Sequence, residues 1–448
     1  MPIRPPPDQA GHGAYQPRLL IIPQSDTEEI LERTLAARGQ AVERRRELVG
    51  FEQTPDDVRT RIRNEDGSEE TIVSKFLVSC EGAHSIVRKQ AGFSFAGTTM
   101  PMRFLLADVT IEWDLPENEV HAWFHRDGVF GALPFGGQKW RLIIERAQAG
   151  AAPPDEEVTL SLVQQLAVER VALSGVLIHD PIWLSDFRIN ARMVDRFRDR
   201  RVFVAGDAAH IHSPLGGQGI ATGIQDASNL AWKLCAVLRE GAPDSLLDTF
   251  DEERKPIART VLRGTSAASN LVFTMNPLLR FARERIVFPI LRTASAQRLL
   301  FAKVSQLEVR YRSSLAVHEK GASPGVRVRA GDRAPDVVFA KGKSHVSLFE
   351  LLGKFGWVAL LGRAGNNPRI IDLLGRLNIH AVAVSNEGDL RDVYGDFFRL
   401  YGATGPFLYL IRPDGHVGLF QGEANPKSLA RYLQKLRGVD AVEKAFAL

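Results

Sequence analysis

The spacing of apolar residues along this chain switches between the period of a strand and that of a helix, and the switches divide it. The first eighteen residues are rich in Pro and Gly and read as an irregular arm. Leu19–Ile22 is a short apolar run that predicts a strand. Ser25 with Glu28 three residues on forms a capping-box pattern. Ile30, Leu31, Thr34 and Leu35 then share one helical face, and Gly39 stands where a helix stops. Residues 41–74 alternate as a meander turning at Glu65-Asp66-Gly67, and Phe76-Leu77-Val78 predicts a short buried strand.

From about 97 to 190 the strand period lengthens. RFLLADVT from Arg103, HAWFH from His121 and WRLIIE from Trp140 are separated by turns at Asp127-Gly128 and Gly136-Gly137. This predicts an antiparallel sheet inserted into an α/β fold. The α/β pattern returns at Val202–Ala205, an apolar strand that ends in Gly206-Asp207, crosses a Gly-rich loop and enters a helix. On that helix Ile224, Ala227, Ala231 and Leu234 share a face. Residues 250–318 read as mainly helical, with apolar residues among many Arg. A Gly/Pro-marked stretch, Gly321 to Asp336, reads as a linker. Beyond it, strands at Trp357–Leu361, His380–Val384 and Phe407–Ile411 alternate with helices near Leu348–Phe355 and Asn367–Leu377. That alternation predicts a small α/β unit able to fold alone. The boundaries that follow are 1–96, 97–190, 191–320 and 331–448.

Composition narrows the class only slightly. The chain has 448 residues, 44% hydrophobic and 25% charged, as ordinary globular proteins do. A net charge of +4 is too small to imply a nucleic-acid partner. No apolar run reaches the roughly 18 residues that span a bilayer, and the start lacks the apolar core of a signal peptide. Cys80 and Cys235 form no CxxC pair, which argues against a disulfide framework or a zinc site and fits a reducing cytosol. His84, His210 and His212 have no acidic companions at metal-ligand spacing, so His210 and His212 are expected to orient loop backbone. Arg192, Arg196, Arg198, Arg200 and Arg201 read as a solvated charge run.

The strongest chemical signal is RVFVAGDAAHIHSPLGGQGIATGIQDASNLAWKL, from Arg201 to Leu234. A buried strand delivers Asp207 to the C-terminal edge of a sheet, where a carboxylate can accept hydrogen bonds from a ribose. The glycines of Pro214–Gly219 let backbone N–H groups approach a ligand, and the following helix directs its positive end at that loop. An isolated Gly-Asp pair would be only a tight strand–turn–helix; the full string is more specific.

That string closely resembles the second flavin motif of the class A flavoprotein monooxygenases, the family of para-hydroxybenzoate and phenol hydroxylases. The resemblance implies that Gly206 and Asp207 meet the flavin ribose and that Pro214, Gly217, Gln218 and Gly219 line the ring. The family's asparagine two residues beyond the last loop glycine is here Ala221, which removes one contact to the ring. A second family motif, D-G-x-x-S-x-V-R, is matched by Glu81-Gly82-Ala83-His84-Ser85-Ile86-Val87-Arg88. It implies a role for Glu81 and Gly82 in flavin and nicotinamide binding, with Ser85 capping a helix and Arg88 near the cofactor phosphates. Gln24 matches a family position that contacts the flavin chain, and Pro134 resembles a proline lining the substrate cavity. The last unit, through GATGPFLYLIRPDGHVGLF from Gly402, resembles the thioredoxin-like domain of the phenol hydroxylase branch, with Pro406 where that fold often has a cis proline. Without a CxxC, the resemblance implies dimerisation or bracing there.

The family opens with strand, G-x-G-x-x-G and helix, the cradle of the flavin pyrophosphate. Gly11-His12-Gly13 is the nearest approach, with Gln16 at the third glycine position and no strand before it. The fold expected is therefore α/β: a partial FAD-binding Rossmann-like domain without its first βαβ unit, an inserted antiparallel substrate domain and a thioredoxin-like C-terminal domain. A truncated gene model, a fragment or a degenerate protein would each look like this. The chain as it stands is expected to hold FAD poorly. The activity implied is an FAD-dependent monooxygenase using NAD(P)H and molecular oxygen to hydroxylate a phenolic or polyketide-like aromatic. Alternatives are a non-catalytic dimerising homologue or another FAD oxidoreductase of the same fold.

Overall fold

The computed structural model describes residues 20–146, 157–171, 173, 175–274, 276–342, 344–362, 367–385 and 390–438. The Gly11-His12-Gly13 stretch, Gln16 and Leu19 lie outside the described residues. Leu20–Ile22 is not a strand, and Leu20 is 75% exposed, so the expected strand is corrected to irregular chain. Helix α1 (Gln24–Ala36) starts with Pro23 at its N-cap, a residue whose fixed φ suits a helix start. Ser25 therefore falls inside the first turn and bonds Asp26 rather than capping. Gly39, at φ 72°, ends the helix as expected. No residue of α1 is buried.

Three antiparallel strands follow, β1 (Glu47–Gln53), β2 (Val58–Arg63) and β3 (Glu69–Ser74), turning at Asp66-Gly67 as the alternation predicted. Next come β4 (Leu77–Ser79) and the short helix α2 (Ile86–Gln90). The inserted sheet is built from β5 (Phe95–Glu112), β6 (His121–His125), β7 (Gly128–Gly136), β8 (Lys139–Arg146) and β9 (Leu177–Val194), with helix α3 (Leu160–Val171) on one face. Leu105, Ala107, Phe130, Leu142 and Ile144 pack there against Val163 and Ala167. Then β10 (Arg198–Asp199) and β11 (Val202–Val204) join β4 in the order β10-β11-β4, with β11 and β4 parallel. The two-residue β12 (His210–Ile211) edges the inserted sheet along β9. The arginine run is not a free solvated loop. Arg198 pairs with Asp248 at 2.6 Å and lies over the Phe203 ring, and Arg196 covers the Phe93 ring, whereas Arg200 is exposed.

Two long helices, α4 (Gln218–Arg239) and α5 (Thr249–Val272), are followed by α6 (Pro277–Ala282), α7 (Phe288–Leu291) and α8 (Ala294–Val304). No described helix is long and apolar enough to cross a membrane. The rest of the chain forms an eight-stranded mixed sheet. Its strands are β13 (His318–Lys320), β14 (Val338–Lys341), β15 (Ser344–Ser347), β16 (Val358–Leu361), β17 (His380–Ser385), β18 (Leu390–Arg391), β19 (Leu408–Ile411) and β20 (Val417–Gln421). Four helices cover it: α9 (Leu348–Phe355), α10 (Pro368–Arg376), α11 (Asp396–Tyr401) and α12 (Pro426–Arg437). Among the described residues no peptide bond is cis, so Pro406 is trans. The Gly321–Asp336 stretch is not an exposed linker: Val328, Ala330 and Ala334 are buried, and the Gly331 N–H donates to Val417 O at 2.7 Å.

A buried ionic cluster joins this sheet to α4 and α5. Glu253 of α5 accepts from both terminal nitrogens of Arg412 (2.7 and 3.0 Å), from Lys233 Nζ (2.8 Å) and from Asn229 (2.6 Å). Asp414 pairs with Arg412 and accepts from Trp232 Nε1. Burial by itself would raise these carboxyls, but Arg412 and Lys233 hold Glu253, and Arg412 and His416 hold Asp414, well below the usual carboxylate range. A depressed folded-state value means that the unfolded chain binds more protons in acid. The cluster's contribution is thus fully present above the unfolded carboxyl values, about pH 4 to 4.5, and is lost as pH falls below them. The thermal midpoint should be nearly flat from pH 7 to about 5 and drop steeply below about 4. Calorimetry of wild type and Glu253→Gln checks this: the variant should have a lower midpoint at neutral pH and a shallower acid drop, whereas superimposable profiles would exclude the cluster as the cause.

Candidate functional site

Because β4 and β11 run parallel, with Val78 beside Phe203, the turns that follow them leave the same sheet edge. After β4, Ser85 caps α2 by accepting from the Arg88 N–H at 2.9 Å, as expected. The Glu81 carboxylate gathers Ser79 Oγ (2.7 Å), Ser85 Oγ (2.6 Å) and the Val87 N–H (3.1 Å). Partial burial works against its ionisation, but these hydrogen bonds prevail and hold it below the ordinary glutamate value. Arg88 is 4% exposed. Its guanidinium donates to Ala83 O (2.6 Å) and Ala208 O (3.1 Å) and lies 3.9 Å from the Phe95 ring centre. Arg88 thus bolts the Gly82 turn to the Gly206 turn.

After β11, Gly206–Ala208 forms a single tight turn with Gly206 at φ 57°. Asp207 stands exposed on it, and its carboxylate makes no hydrogen bond or ion pair among the described residues. The turn is anchored from behind. The Gly206 N–H donates to Asp226 Oδ2 on α4 at 3.1 Å, and that oxygen also meets His210 Nε2 at 2.6 Å. Asp226 Oδ1 accepts from Arg254 Nε at 2.7 Å.

The loop before α4 is closed by a Gly217 N–H to Pro214 O bond of 2.9 Å, with Gly216 and Gly217 at φ 91° and 63°. Gly217 caps the helix without a side chain, which leaves first-turn N–H groups open. A Cβ placed on Gly217 or Gly219 would meet no atom within 4 Å, so the loop faces an open space. Gln218 turns aside, its Oε1 accepting from Gln306 at 3.2 Å. His212 contacts the carbonyl of Ser213 at 2.9 Å, a backbone-orienting contact, and burial lowers its pKa.

Ser213 also bonds Ser269 of α5 at 2.7 Å. At the C-cap of α5, one turn on, Phe273 packs on the face of the inserted sheet opposite α3, with Met102, Phe104 and Ile189. Phe104 and Phe273 meet edge to face at 4.9 Å. The loop is thereby joined to a buried aromatic cluster. Pro134 does not belong to that cluster. It lies in β7 rather than in a turn, buried opposite Trp140 on the face that α3 covers. Gln24 sits exposed at the start of α1, with its amide on Glu28 at 2.7 Å. The fold therefore brings Glu81, Gly82 and Arg88 to Gly206 and Asp207, and links these through α4 to Pro214–Gly219. Asp226, Arg254, Phe104 and Phe273 were not read from the sequence. The polar spacing Thr222, Asp226, Asn229, Lys233 was the available signal for the first of them.

Residues 9–265 match the FAD binding domain family. The chain belongs to that family. One curated member is an uncharacterized aromatic compound monooxygenase of Bacillus subtilis, 33% identical over 96% of this chain and 81% of its own length. Another is the 6-methylpretetramide 4-monooxygenase of Streptomyces rimosus, 37% identical over 94% of this chain and 76% of its own length. Among solved structures, an anhydrotetracycline hydroxylase from Streptomyces rimosus superposes with a TM-score of 0.74 at 30% identity. It covers 94% of this chain, which covers 80% of it. FAD is the cofactor of this family, and its fold is the mixed α/β architecture described above.

Proposed function

We propose that the chain is an FAD-dependent monooxygenase that uses NAD(P)H and molecular oxygen to hydroxylate a phenolic or polyketide-like aromatic. The observation that carries this reading is the pairing of an uncommitted, exposed Asp207 carboxylate with an open glycine loop at the N-terminus of α4. The donor set fits the group: a carboxylate for a ribose hydroxyl, and free N–H groups with a positive helix end for an electron-rich ring. The chemistry FAD supplies when bound is reduction by NAD(P)H and activation of dioxygen. The protein's share is to orient and to exclude water. Arg88 and Asp226 hold the two turns, and the loop N–H groups would face the ring. The names of the Streptomyces relatives support a polyketide-like substrate. The exposed free cysteines Cys80 and Cys235 support a reducing cytosol.

Titrating FAD into the purified chain and following flavin fluorescence tests the cofactor reading. Saturable but weak binding is expected, and, with FAD supplied in excess, substrate-dependent NAD(P)H oxidation with label from isotopic dioxygen in the product. Absence of saturable binding overturns it. Asp207→Ala should weaken FAD by about 1.5–3 kcal/mol, the range for hydrogen bonds to a charged group. An unchanged affinity in a folded variant would remove Asp207 from the site.

A further inference from the structure

We propose that Asp226, clamped by Arg254, is the positioning residue that sets the Gly206–Asp207 turn for the flavin ribose, and that Tyr311, from outside the matched FAD-binding region, completes the clamp. This rests on the cofactor reading above. Asp226 and Arg254 are both fully buried, and His210 and Tyr311 are 2% and 3% exposed. Both oxygens of the Asp226 carboxylate are held by protein: one takes the Gly206 N–H and His210, and the other takes Arg254 Nε. Arg254 is itself fixed by Tyr311 OH at 2.7 Å, Gln225 Oε1 at 3.2 Å and Thr222 O at 3.2 Å.

The geometry assigns these residues an indirect role. Asp226 reaches the turn from behind, at the Gly206 N–H, while Asp207 is exposed and makes no hydrogen bond among the described residues. A glycine at φ 57° imposes little shape, so the direction of Asp207 depends on what holds the neighbouring N–H. A carboxylate held on both oxygens is a stiff anchor. An amide in its place offers one acceptor and one donor, and the donor faces either Arg254 or the Gly206 N–H. Tyr311 carries the clamp into the C-terminal part of the chain. The family match ends at residue 265, yet the ring of Tyr311 packs on His416 at 4.2 Å, and the Arg412 guanidinium lies 5.3 Å from it. The C-terminal sheet thus supports the cofactor turn from the side away from the ligand.

The test is a double-mutant cycle on FAD affinity, read by fluorescence titration, with the thermal midpoint of the flavin-free protein recorded for each variant. Asp226→Asn should weaken FAD by about tenfold, and Tyr311→Phe by about threefold. In an Asp207→Ala background both should cost almost nothing more, because their effect passes through Asp207. That loss of additivity is a signature that general destabilisation would not produce. Full additivity with Asp207→Ala, or wild-type affinity in Asp226→Asn, overturns the proposal. If Asp226→Asn fails to fold, Tyr311→Phe, which keeps the ring and removes only the hydroxyl, decides by the same criterion. If Asp207→Ala itself leaves FAD binding unchanged, the cofactor reading of Asp207 fails, and the clamp proposal fails with it. If Asp207→Ala weakens binding while Asp226→Asn and Tyr311→Phe do not, the clamp proposal alone fails.

Discussion

Replacing Glu253 with alanine should destabilise the protein by about 3–5 kcal/mol, the range seen when one partner of a buried ion pair is removed. The cluster around it is balanced, with Arg412 and Lys233 against Glu253 and Asp414, and the side chains of the first three are 0% exposed. Truncation leaves two cations with one carboxylate in a space that water does not reach. Ser314 also loses its acceptor and Asn229 one of its two, each now bonded to Glu253 at 2.6 Å. The Arg412 guanidinium lies 5.0 Å from the Trp232 ring, so it cannot move to solvent without opening the packing between α4 and the C-terminal sheet. The deficit is not a measure of what the cluster contributes over a hydrophobic core of equal volume; it is the cost of stranding its partners. Urea unfolding of wild type and variant, with near-ultraviolet circular dichroism as the probe, gives the number. A shift under about 1 kcal/mol would mean that the stranded charges find water after all.

Elements whose hydrophobic period matches their burial were legible in the sequence. The meander of β1–β3, the inserted sheet, the Val202–Val204 strand and the alternation of β16, β17 and β19 with α9 and α10 stand where the spacing placed them. Helix α4 shows why the rest was not. Hydrophobic spacing selects Ile224, Ala227, Ala231 and Leu234, but Ile224 is 45% exposed, and Ala227 and Ala231 are exposed too. The buried set is Thr222, Asp226, Asn229, Leu230, Trp232, Lys233 and Ala236, with polar members held by Glu253, Arg254 and Asp414. A polar face reads as solvent-exposed unless its partners are known, and here they lie 20 to 185 residues away. Arg88 illustrates the same limit within a motif. Residue type and spacing identified the turn, but only the packing on Phe95 shows the guanidinium directed at the carbonyls of Ala83 and Ala208. Pro and Gly at 321–336 marked irregular chain correctly, and irregular chain is not the same as exposed chain.

Expressed alone, residues 331–448 should form a compact but poorly ordered state, contrary to what the Gly/Pro-rich boundary suggests. Such a segment keeps one apolar layer, with Phe339, Leu348, Leu360, Phe397, Phe407 and Ile411 on one face of the sheet. It loses much of the other. Trp357, Leu361, Leu433 and Leu436 pack in a single cluster with Trp232, Ala236, Ala242 and Leu246, and the two tryptophans meet edge to face at 5.4 Å. Strand β20 loses its parallel neighbour β13, which exposes a ladder edge. The Tyr432 hydroxyl loses Ala316 O, and the Tyr409 hydroxyl loses Val328 O, each at about 3 Å. Arg412 and Asp414 keep each other but lose Glu253, Lys233, Asn229 and Trp232. Each loss is worth up to a few kcal/mol, and a domain is ordinarily stable by only about 5–15 kcal/mol. The expected record is a narrow spread of amide proton shifts, retained far-ultraviolet circular dichroism and binding of a hydrophobic dye, the marks of collapse without fixed packing. A well-dispersed spectrum from the isolated segment would show that its sheet is held by the Phe339–Phe407 layer alone. The buried charges at Arg412 and Asp414 would then be a device for docking rather than for folding.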